Sequence, residues 1–404
     1  MTVTSATPRS PPSVTASRTP PCTRPCVVPS VLAPPAPWQK SSPEVTVSDY
    51  RCGDGSARSP RFGLWYHLRN PQRWNQPPEL LYRRSLEQAA WAEQIGFESI
   101  WASEHHFDAD GYLSSPLTFL AAVASRTSRV RMGTNLVIAA LHHPLRLAED
   151  TAALAILSDG RFDLGVAAGY REQDFAAFDR RLSHRPSLLD EAVGILRNAW
   201  AGTSVASAGR HFTLPDVRVT PIATRPPRLL IGGAATPAVE RAAGLADGYL
   251  PPAKPLAPLS YYIDPYLDAV QRQGGDPAAA TVMCGMPAIV AEDPERTLAQ
   301  VGEHLLYQVN TYIATGTYGS GRVLETPHDV VTAGYVRLWD ADNAIGELSS
   351  LLRDYPQVKD VHWWAQLPGE SVDSGSERVA YIADKVLPAL RGIGDSYADP
   401  KLEL

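Results

Sequence analysis

Residues 130–168 decide the fold and read VRMGTNLVIAALHHPLRLAEDTAALAILSDGRFDLGVAA. The segment begins with one apolar run, 130–138, and ends with another, 162–168. Between them Pro144 opens a helical pattern and Gly160 closes it, because proline suits the first turn of a helix and glycine the position after its end. Apolar residues recur along this pattern on one helix face: Leu145, Ala148, Ala152, Ala155 and Ile156. The segment therefore predicts a strand, a helix and a second strand.

The same alternation repeats through most of the chain. Strands are predicted at 61–66, 98–103, 130–138, 162–168, 228–231, 248–250, 281–290 and 361–367. Helices are predicted at 79–95, 116–126, 144–160, 186–200, 237–246, 257–273, 294–309 and 375–390, with a further one near 342–353. On the first helix the predicted buried face consists of Tyr82, Leu86, Ala89 and Ala90.

Two properties of these elements indicate the fold class. The strands are nearly unbroken apolar runs, which is typical of parallel strands that are covered on both faces. Their number, eight, favours a (β/α)8 TIM barrel over an open α/β sheet. The segments 202–227, with a possible hairpin, and 310–340 are predicted insertions in this barrel.

The first 60 residues have a different composition from the rest. They contain 12 of the 36 prolines, many Ser and Thr residues, and three acidic residues, Glu44, Asp49 and Asp54. No apolar periodicity in them can offset the entropy cost of ordering the chain. We expect residues 1–60 to be a disordered tail, 61–396 to form the barrel domain, and 397–404 to be a short C-terminal tail.

Charge and composition exclude several classes of partner. A net charge of −6 argues against a nucleic-acid-binding protein. No run of about 18 apolar residues is present, so we expect no membrane span. Four cysteines are too few for a disulfide framework, and they lack partners at zinc-like spacing. We expect reduced thiols, a cytoplasmic protein and no bound metal.

Chemistry in such barrels is located at the carboxyl ends of the strands, and the second predicted strand ends in Glu104, His105 and His106. Neighbouring side chains on a strand point in opposite directions, so only one of the two histidines enters the barrel mouth. A histidine there suits proton transfer or stabilisation of an anionic oxygen. On these residues alone, two structural histidines are an equal alternative.

The fifth strand continues into a turn and a helix through Gly232, Gly233, Ala234, Thr236 and Pro237. Glycines let the backbone approach a ligand, Thr236 suits the N-cap, and Pro237 suits the first helical position. The free N–H groups of such a helix N-terminus can bind a phosphate. A tight strand-to-helix turn explains the same residues equally well.

Other strand ends supply residues that suit a ligand pocket. Arg185, at the start of the fourth helix, can contact a phosphate, although a solvated arginine is the alternative. Indole rings can form the wall of a planar ligand site, although filling of the barrel is their commoner use. We expect the substrate pocket to be lined by Trp65, His67, Arg171, His362 and Trp364.

An ordered set of motifs extends over residues 61–392. They are IWASEHHF at 100–107, MGTN at 132–135, HPLRLAED at 143–150 and SDGRFDLGV at 158–166, followed by Gly169, IGG at 231–233, ADG at 246–248 and LPG at 367–369. These motifs resemble the bacterial-luciferase-like flavin monooxygenases.

The resemblance implies a TIM barrel that binds FMN at its mouth. Reduced FMN would come from a separate flavin reductase and react with O2 to a flavin hydroperoxide, which oxygenates a small, largely apolar organic substrate. The resemblance also implies a homodimer. It assigns catalysis to His105 and Glu104, which are adjacent in the motif. The residues that it assigns to the cofactor are Asn135, at a position that often precedes a non-proline cis peptide, together with Gly169, Tyr170, Arg185, Gly232, Gly233, Ala234 and Thr236.

Departures from the family pattern leave alternatives open. Ala167 occupies the position of a reactive cysteine in luciferase, and Ala168 that of an arginine, so light emission is unsupported. The alternatives are a deazaflavin-dependent hydride-transfer oxidoreductase, which shares this fold, and a flavin-binding barrel without turnover. A metallohydrolase barrel fits less well, because no second pair of metal ligands ends a strand.

Overall fold

The computed structural model describes residues 59–253, 257–318 and 321–396. Within these ranges, eight parallel strands form a closed barrel, and their bounds are β1 Arg61–Tyr66, β2 Ser99–Ala102, β3 Arg131–Thr134, β4 Phe162–Ala167, β5 Arg228–Gly232, β6 Gly248–Leu250, β7 Val282–Met286 and β8 Val358–Trp364. Each strand pairs with the next, and β8 pairs with β1, which closes the barrel. The predicted TIM barrel is therefore confirmed. The predicted tails lie outside the described residues, apart from residues 59 and 60.

A helix follows each strand on the outside of the barrel. The barrel helices are α1 Pro78–Gln94, α2 Pro116–Ala124, α3 Pro144–Leu157, α4 Arg185–Trp200, α5 Thr236–Leu245, α6 Ser260–Arg272, α7 Pro294–Ala314 and α8 Val372–Tyr381. A π-helical segment, Ile382–Val386, joins α8 to a last helix, Leu387–Ser396. Among the described helices, none is both long and apolar enough to cross a bilayer.

Two predicted strands are interrupted. The predicted strand 130–138 ends at Thr134 and resumes as Val137–Ile138, and the peptide bond between Asn135 and Leu136 is cis. The predicted strand 281–290 breaks at Pro287, because proline has no N–H to donate to a sheet. Beyond that proline, Ala288–Val290 leaves the barrel and pairs with Arg337–Trp339.

The two insertions contain the remaining elements. In 202–227, Val205–Ala208 and Thr213–Val217 form the predicted antiparallel hairpin. The 310–340 segment begins as the end of α7, which runs five residues beyond its predicted end at 309, and continues with a short helix, Pro327–Thr332. A helix at Ala341–Asp354 then leads to β8. β8 itself begins at Val358, earlier than the predicted residue 361.

The buried faces of two helices differ from the predicted ones. On α1, Tyr82 is exposed, whereas Gln88 is buried and donates a hydrogen bond to the Ser376 hydroxyl on α8 at 2.9 Å. On α3, Ile156 is exposed and Leu154 is buried instead. Polar residues can occupy a buried face when a neighbouring helix supplies hydrogen-bond partners, and apolar periodicity does not detect this.

The inside of the barrel is tightly packed near its centre. The Trp101 ring extends from β2 toward β3, where a Cβ atom on Gly133 would lie 2.3 Å from the ring. On β4, a Cβ atom on Gly165 would lie 2.0 Å from the Thr134 carbonyl oxygen. Glycine is therefore required at both positions by close approach.

Buried ion pairs join strands at the amino-terminal end of the barrel. Asp163 on β4 accepts hydrogen bonds from Arg131 on β3, at 2.5 and 3.1 Å, and from Arg228 on β5, at 2.6 and 2.9 Å. Nearby, Arg61 on β1 bonds to Asp360 on β8 at 3.2 Å. Burial alone would raise the pKa of Asp163, but the two arginines hold it well below its ordinary value.

We expect Asp163→Asn to lower the free energy of unfolding by about 2–3 kcal/mol, because it leaves two arginines without their carboxylate. Their partial exposure keeps the loss below that of a fully buried pair. Because the folded pKa is depressed, the Asp163 contribution is present above its ordinary pKa of 3.8 and is lost as the pH falls below it. Urea unfolding at pH 7 measures the difference.

The matched control is Asp159→Asn, since Asp159 is largely exposed in its ion pair with Arg225. This variant should change stability by less than about 0.5 kcal/mol. Equal losses in the two variants would contradict the assignment of a strand-joining role to Asp163.

Candidate functional site

His105 lies in the loop after β2 at the carboxyl-terminal end of the barrel. Its ring stacks on Tyr112 with 4.1 Å between centroids. The Nη1 atom of Arg171 lies 3.5 Å from His105 Nδ1 and donates at 2.7 Å to Asp108. An arginine can only donate, so Nδ1 is the acceptor and the neutral ring carries its proton on Nε2.

Burial lowers the pKa of His105 to about 3, and the positive charges of Arg171 and Arg69 act in the same direction. The imidazole is therefore uncharged at neutral pH. An uncharged ring with a proton on Nε2 can donate a hydrogen bond to an oxygen without bringing a positive charge into the mouth.

Glu104 and His106 lie beside His105 in the chain, but their side chains contact other residues. The Glu104 side chain is fully buried and accepts hydrogen bonds from His106 at 2.8 Å, from His142 at 2.7 Å and from the Ile138 amide at 2.6 Å. Burial would raise the pKa of Glu104, but His142 and His106 lower it, to about 2. β2 ends at Ala102, so both histidines lie in the loop beyond the predicted strand, and His106 packs against Phe178 rather than beside His105.

Glu104 therefore has its acceptor capacity used within the protein. It fastens the loop after β2 to the segment after β3, and no part of the carboxylate reaches solvent. This position fits a residue that orients its neighbours rather than one that contacts a substrate.

Asn135 and His362 form a chain of hydrogen bonds with Asp360. His362 Nδ1 lies 3.1 Å from Asp360 Oδ1, and His362 Nε2 lies 2.9 Å from Asn135 Nδ2. The carboxylate can only accept, so Nδ1 carries the proton and Nε2 accepts from the Asn135 amide. His362 is fully buried and its ring stacks on Trp101 at 4.7 Å. It lies under the mouth, in the barrel interior, rather than on the wall of an open pocket.

The residues predicted for a cofactor follow β3, β4 and β5, which are neighbouring strands. After β4, Gly169 has φ +81°, and a Cβ atom there would lie 2.7 Å from Ile138. The next residue, Tyr170, is partly exposed and its hydroxyl lies 2.6 Å from Thr317 Oγ1.

The turn after β5 differs slightly from the prediction. Thr236 is the first residue of α5 and not its N-cap, which is Ala235, and no side chain caps the helix. Ala234 and Thr236 are exposed, and the Gly233 carbonyl accepts from the Tyr249 hydroxyl at 2.7 Å. Among the described residues, the half-buried Arg185 side chain makes no ion pair or hydrogen bond. An uncapped helix N-terminus and an unpaired arginine both suit an anion.

The residues predicted for a substrate meet near β8 and β1. Trp65 donates to Ser103 Oγ at 2.7 Å, and His67 packs edge-on against Trp65 with 4.5 Å between centroids. The Trp364 ring centroid lies 6.4 Å from that of His67. Arg171 is the exception, because it follows β4 and contacts His105.

Sequence reasoning missed four residues that surround His67 and His105: Arg69, Tyr112, Gln308 and Tyr312. Two lie on loops and two on α7. The Tyr112 and Tyr312 hydroxyls are 2.8 Å apart, which joins the loop after β2 to α7. A polar residue within the apolar face of α7, such as Gln308, was the signal available.

No group of three or more His, Cys, Asp or Glu side chains is arranged to hold a metal ion in the part of the chain that the structure describes.

The family model for luciferase-like monooxygenases matches residues 61–347, which is more than half of the chain. The chain therefore belongs to the luciferase-like monooxygenase family. Its barrel fits this class of oxidoreductase.

Relatives within the family differ in their printed activities. The chain is 34% identical over 196 residues to a 4-hydroxyprotoasukamycin monooxygenase of Streptomyces nodosus subsp. asukaensis, a match that covers 46% of this chain and 49% of that protein. It is 28% identical over 315 residues to an F420-dependent hydroxymycolic acid dehydrogenase of Mycobacterium tuberculosis, covering 76% and 84%. The chain spans about half or less of the length of the first curated relatives it matches.

A solved structure gives the same fold. The monooxygenase RslO1 from Streptomyces bottropensis superposes with a TM-score of 0.71 at 23% identity, covering 81% of this chain and 99% of that one.

We expect the His105 ring to stay uncharged from pH 8 to pH 5, because its pKa is lowered to about 3. Replacing Arg171 with methionine should raise this pKa, since a nearby positive charge is removed and Asp108, 3.9 Å from Nδ1, loses its partner. NMR titration of the histidine ring protons measures both values.

Arg83→Met is the matched control, because Arg83 is an exposed arginine on the outer helix α1. It should leave the His105 titration unchanged. A His105 ring that titrates near 6.5 in the unaltered protein would contradict the buried, neutral assignment.

Proposed function

We propose that this protein is a monooxygenase that uses reduced FMN and O2 to oxygenate a small organic molecule. The observation that carries the proposal is the uncharged imidazole of His105, buried at the barrel mouth in a chain of the luciferase-like monooxygenase family. Bound reduced FMN supplies the two electrons that convert one oxygen atom of O2 to water while the other enters the substrate.

The residues after β3, β4 and β5 fit such a cofactor. The uncapped N-terminus of α5, with Gly233, Ala234 and Thr236, offers free backbone N–H groups to a phosphate. The Arg185 guanidinium, which has no partner in the described part of the chain, can add a charge-assisted hydrogen bond. Asn135, Gly169 and Tyr170, with the Gly232 backbone, would contact the remainder of the molecule.

His105 has the role of holding a proton at Nε2, where it can donate to an oxygen in the mouth. Arg171 orients the ring through Nδ1, and the aromatic ring of Tyr112 restricts its rotation. Glu104 is a positioning residue in this proposal, because its contacts fix the loop that carries His105. His362 is also a positioning residue in this proposal, because it acts through its hydrogen bond to the Asn135 side chain.

Deazaflavin-dependent hydride transfer is the second candidate. The observation that favours it is the F420-dependent dehydrogenase relative, whose match covers 84% of that protein, compared with 49% for the 4-hydroxyprotoasukamycin monooxygenase. The α5 N-terminus and Arg185 would serve a deazaflavin phosphate equally well. A flavin-binding barrel without turnover is the third candidate, and retention of His105 argues against it.

Partners and location follow from the same proposal. A monooxygenase of this type needs a flavin reductase to supply reduced FMN, and we propose a homodimer in the cytoplasm by analogy with the family. Gel filtration with light scattering and copurification with a reductase are the direct tests.

We expect FMN to bind roughly tenfold or more tightly than riboflavin, which lacks the phosphate. In Arg185→Met this preference should shrink, whereas riboflavin affinity should not change. Titration of protein into each oxidised flavin, followed by fluorescence quenching, measures the four dissociation constants.

The control for the flavin titration is Arg83→Met, at an exposed arginine on α1, which should retain the preference for FMN. Equal affinity for FMN and riboflavin in the unaltered protein would contradict a phosphate site at α5.

When reduced FMN bound to the protein is mixed with O2, we expect a long-lived absorbance change that free reduced FMN does not show. His105→Gln should shorten its lifetime by about tenfold, because one donated hydrogen bond is lost or misplaced. Stopped-flow mixing with oxygenated buffer measures the lifetime.

His143→Gln, at an exposed histidine, is the matched control for this experiment. Failure to bind reduced FMN, together with tight binding of reduced F420, would replace the proposal by the deazaflavin candidate.

A further inference from the structure

Four polar side chains form a cluster beneath the mouth on the side of β8 and β1. We call His67, Arg69, Gln308 and Trp364 the donor cluster, and all four are buried. Within the described residues, hydrogen bonds of normal geometry are missing for both His67 ring nitrogens, both Arg69 Nη atoms, both Gln308 amide atoms and Trp364 Nε1. Native proteins rarely leave so many buried polar atoms unsatisfied in one place.

The members of the donor cluster lie around one another although they come from three separate parts of the chain. Gln308 on α7 lies next to His67, and the Trp364 ring centroid is 6.4 Å from the His67 ring centroid. Arg69 is connected to the other three through Tyr112, whose ring centroid lies 5.1 Å from that of His67 and 5.0 Å from Arg69 Cζ. The four side chains are therefore neighbours in one buried region.

The composition of the donor cluster indicates what it can bind. Arg69 and Trp364 can only donate, whereas Gln308 and an uncharged His67 each offer one acceptor that they can use between themselves. Burial, with the charge of Arg69 next, lowers the pKa of His67 well below its ordinary value, so the ring is uncharged. The donor cluster therefore has more hydrogen-bond donors than acceptors, which suits a ligand oxygen that accepts hydrogen bonds.

Charge and shape narrow the class of ligand further. The positive charge of Arg69 is already matched by Asp110, whose Oδ2 lies 2.7 Å from Arg69 Nε. A carboxylate would therefore enter as an unmatched negative charge, so an uncharged oxygen is favoured. The rings of Trp65, Tyr112 and Tyr312 border the donor cluster, and flat faces of this kind suit a planar ligand.

We propose that the donor cluster binds the carbonyl oxygen of a planar aromatic substrate and so orients that substrate beside His105. The proposal rests on the proposed function for its reaction, but the binding itself does not require a flavin. His105 lies beside the donor cluster, because its ring and that of His67 both pack on Tyr112. The residues proposed for FMN follow β3, β4 and β5, on a different arc of the rim.

The test compares two ligands of matched size, 1-indanone and its hydrocarbon indane, with 2-octanone as an aliphatic ketone. Calorimetric titration of the purified full-length protein without flavin gives the dissociation constants. We expect 1-indanone to bind about tenfold more tightly than indane, and more tightly than 2-octanone. Trp364→Phe, which removes the indole N–H, and Gln308→Met should each reduce the indanone preference about threefold or more.

The matched control is Trp363→Phe, on the preceding residue of β8. Trp363 Nε1 is also buried and unsatisfied among the described residues, but its ring packs against Phe62, away from His67. The indanone preference should be unchanged in this variant. Thermal unfolding checks that each variant is folded, and Gln308→Met gives the answer if Trp364→Phe is not.

Equal binding of 1-indanone and indane, or a preference that neither Trp364→Phe nor Gln308→Met alters, would overturn the proposal and indicate that water alone satisfies the donors. Stronger binding of 2-octanone would overturn the aromatic part. A protein that shows the indanone preference but binds no FMN would contradict the proposed function and leave the donor cluster supported.

Discussion

The buried carboxylate of Glu104 is the contact on which the geometry of the mouth depends. A buried carboxylate is costly unless it is fully hydrogen-bonded, and Glu104 meets this requirement with His106, His142 and the Ile138 amide. Those donors come from the loop after β2 and from the segment that leads from β3 to α3. One carboxylate thus sets the spacing between the loop that carries His105 and the segment that begins at Asn135.

Much of the barrel could be predicted from the sequence because its parallel strands are covered on both faces. Such strands appear as apolar runs, and proline or glycine marks many helix ends, such as Pro144 and Gly160. The errors arose where a local break overrides the apolar pattern. Pro287 ends β7 inside one apolar run. In the other run the backbone turns at Asn135 and Leu136, where the Leu136 carbonyl accepts from the Glu104 N–H at 3.3 Å, before strand pairing resumes at Val137.

The site was predictable only where it is made by strand ends. Trp364 ends a strand, Asn135 follows one directly and His105 comes three residues after one, so the barrel topology places them at the mouth. Tyr112 and Gln308 could not be placed in the same way, because a loop and the far half of a long helix reach the mouth only through packing. Glu104 shows the remaining difficulty. Its motif placed it beside His105, but only its hydrogen-bond partners distinguish a positioning residue from one that contacts a ligand.

The charges around the mouth are distributed unevenly, so that one region of it is close to neutral and another is positively charged. Near His105, each arginine is matched: Arg171 by Asp108 and Arg69 by Asp110, so the region is polar but close to neutral. At the start of α4 and α5, Arg185 and the uncapped helix N-terminus have no carboxylate to match them within the described residues. An anionic group is therefore favoured at α4 and α5, whereas an uncharged imidazole and an uncharged ligand are favoured near β8, β1 and β2. The proposed phosphate site therefore lies apart from the charges that act on His105, whose pKa is lowered by burial and by Arg171 and Arg69.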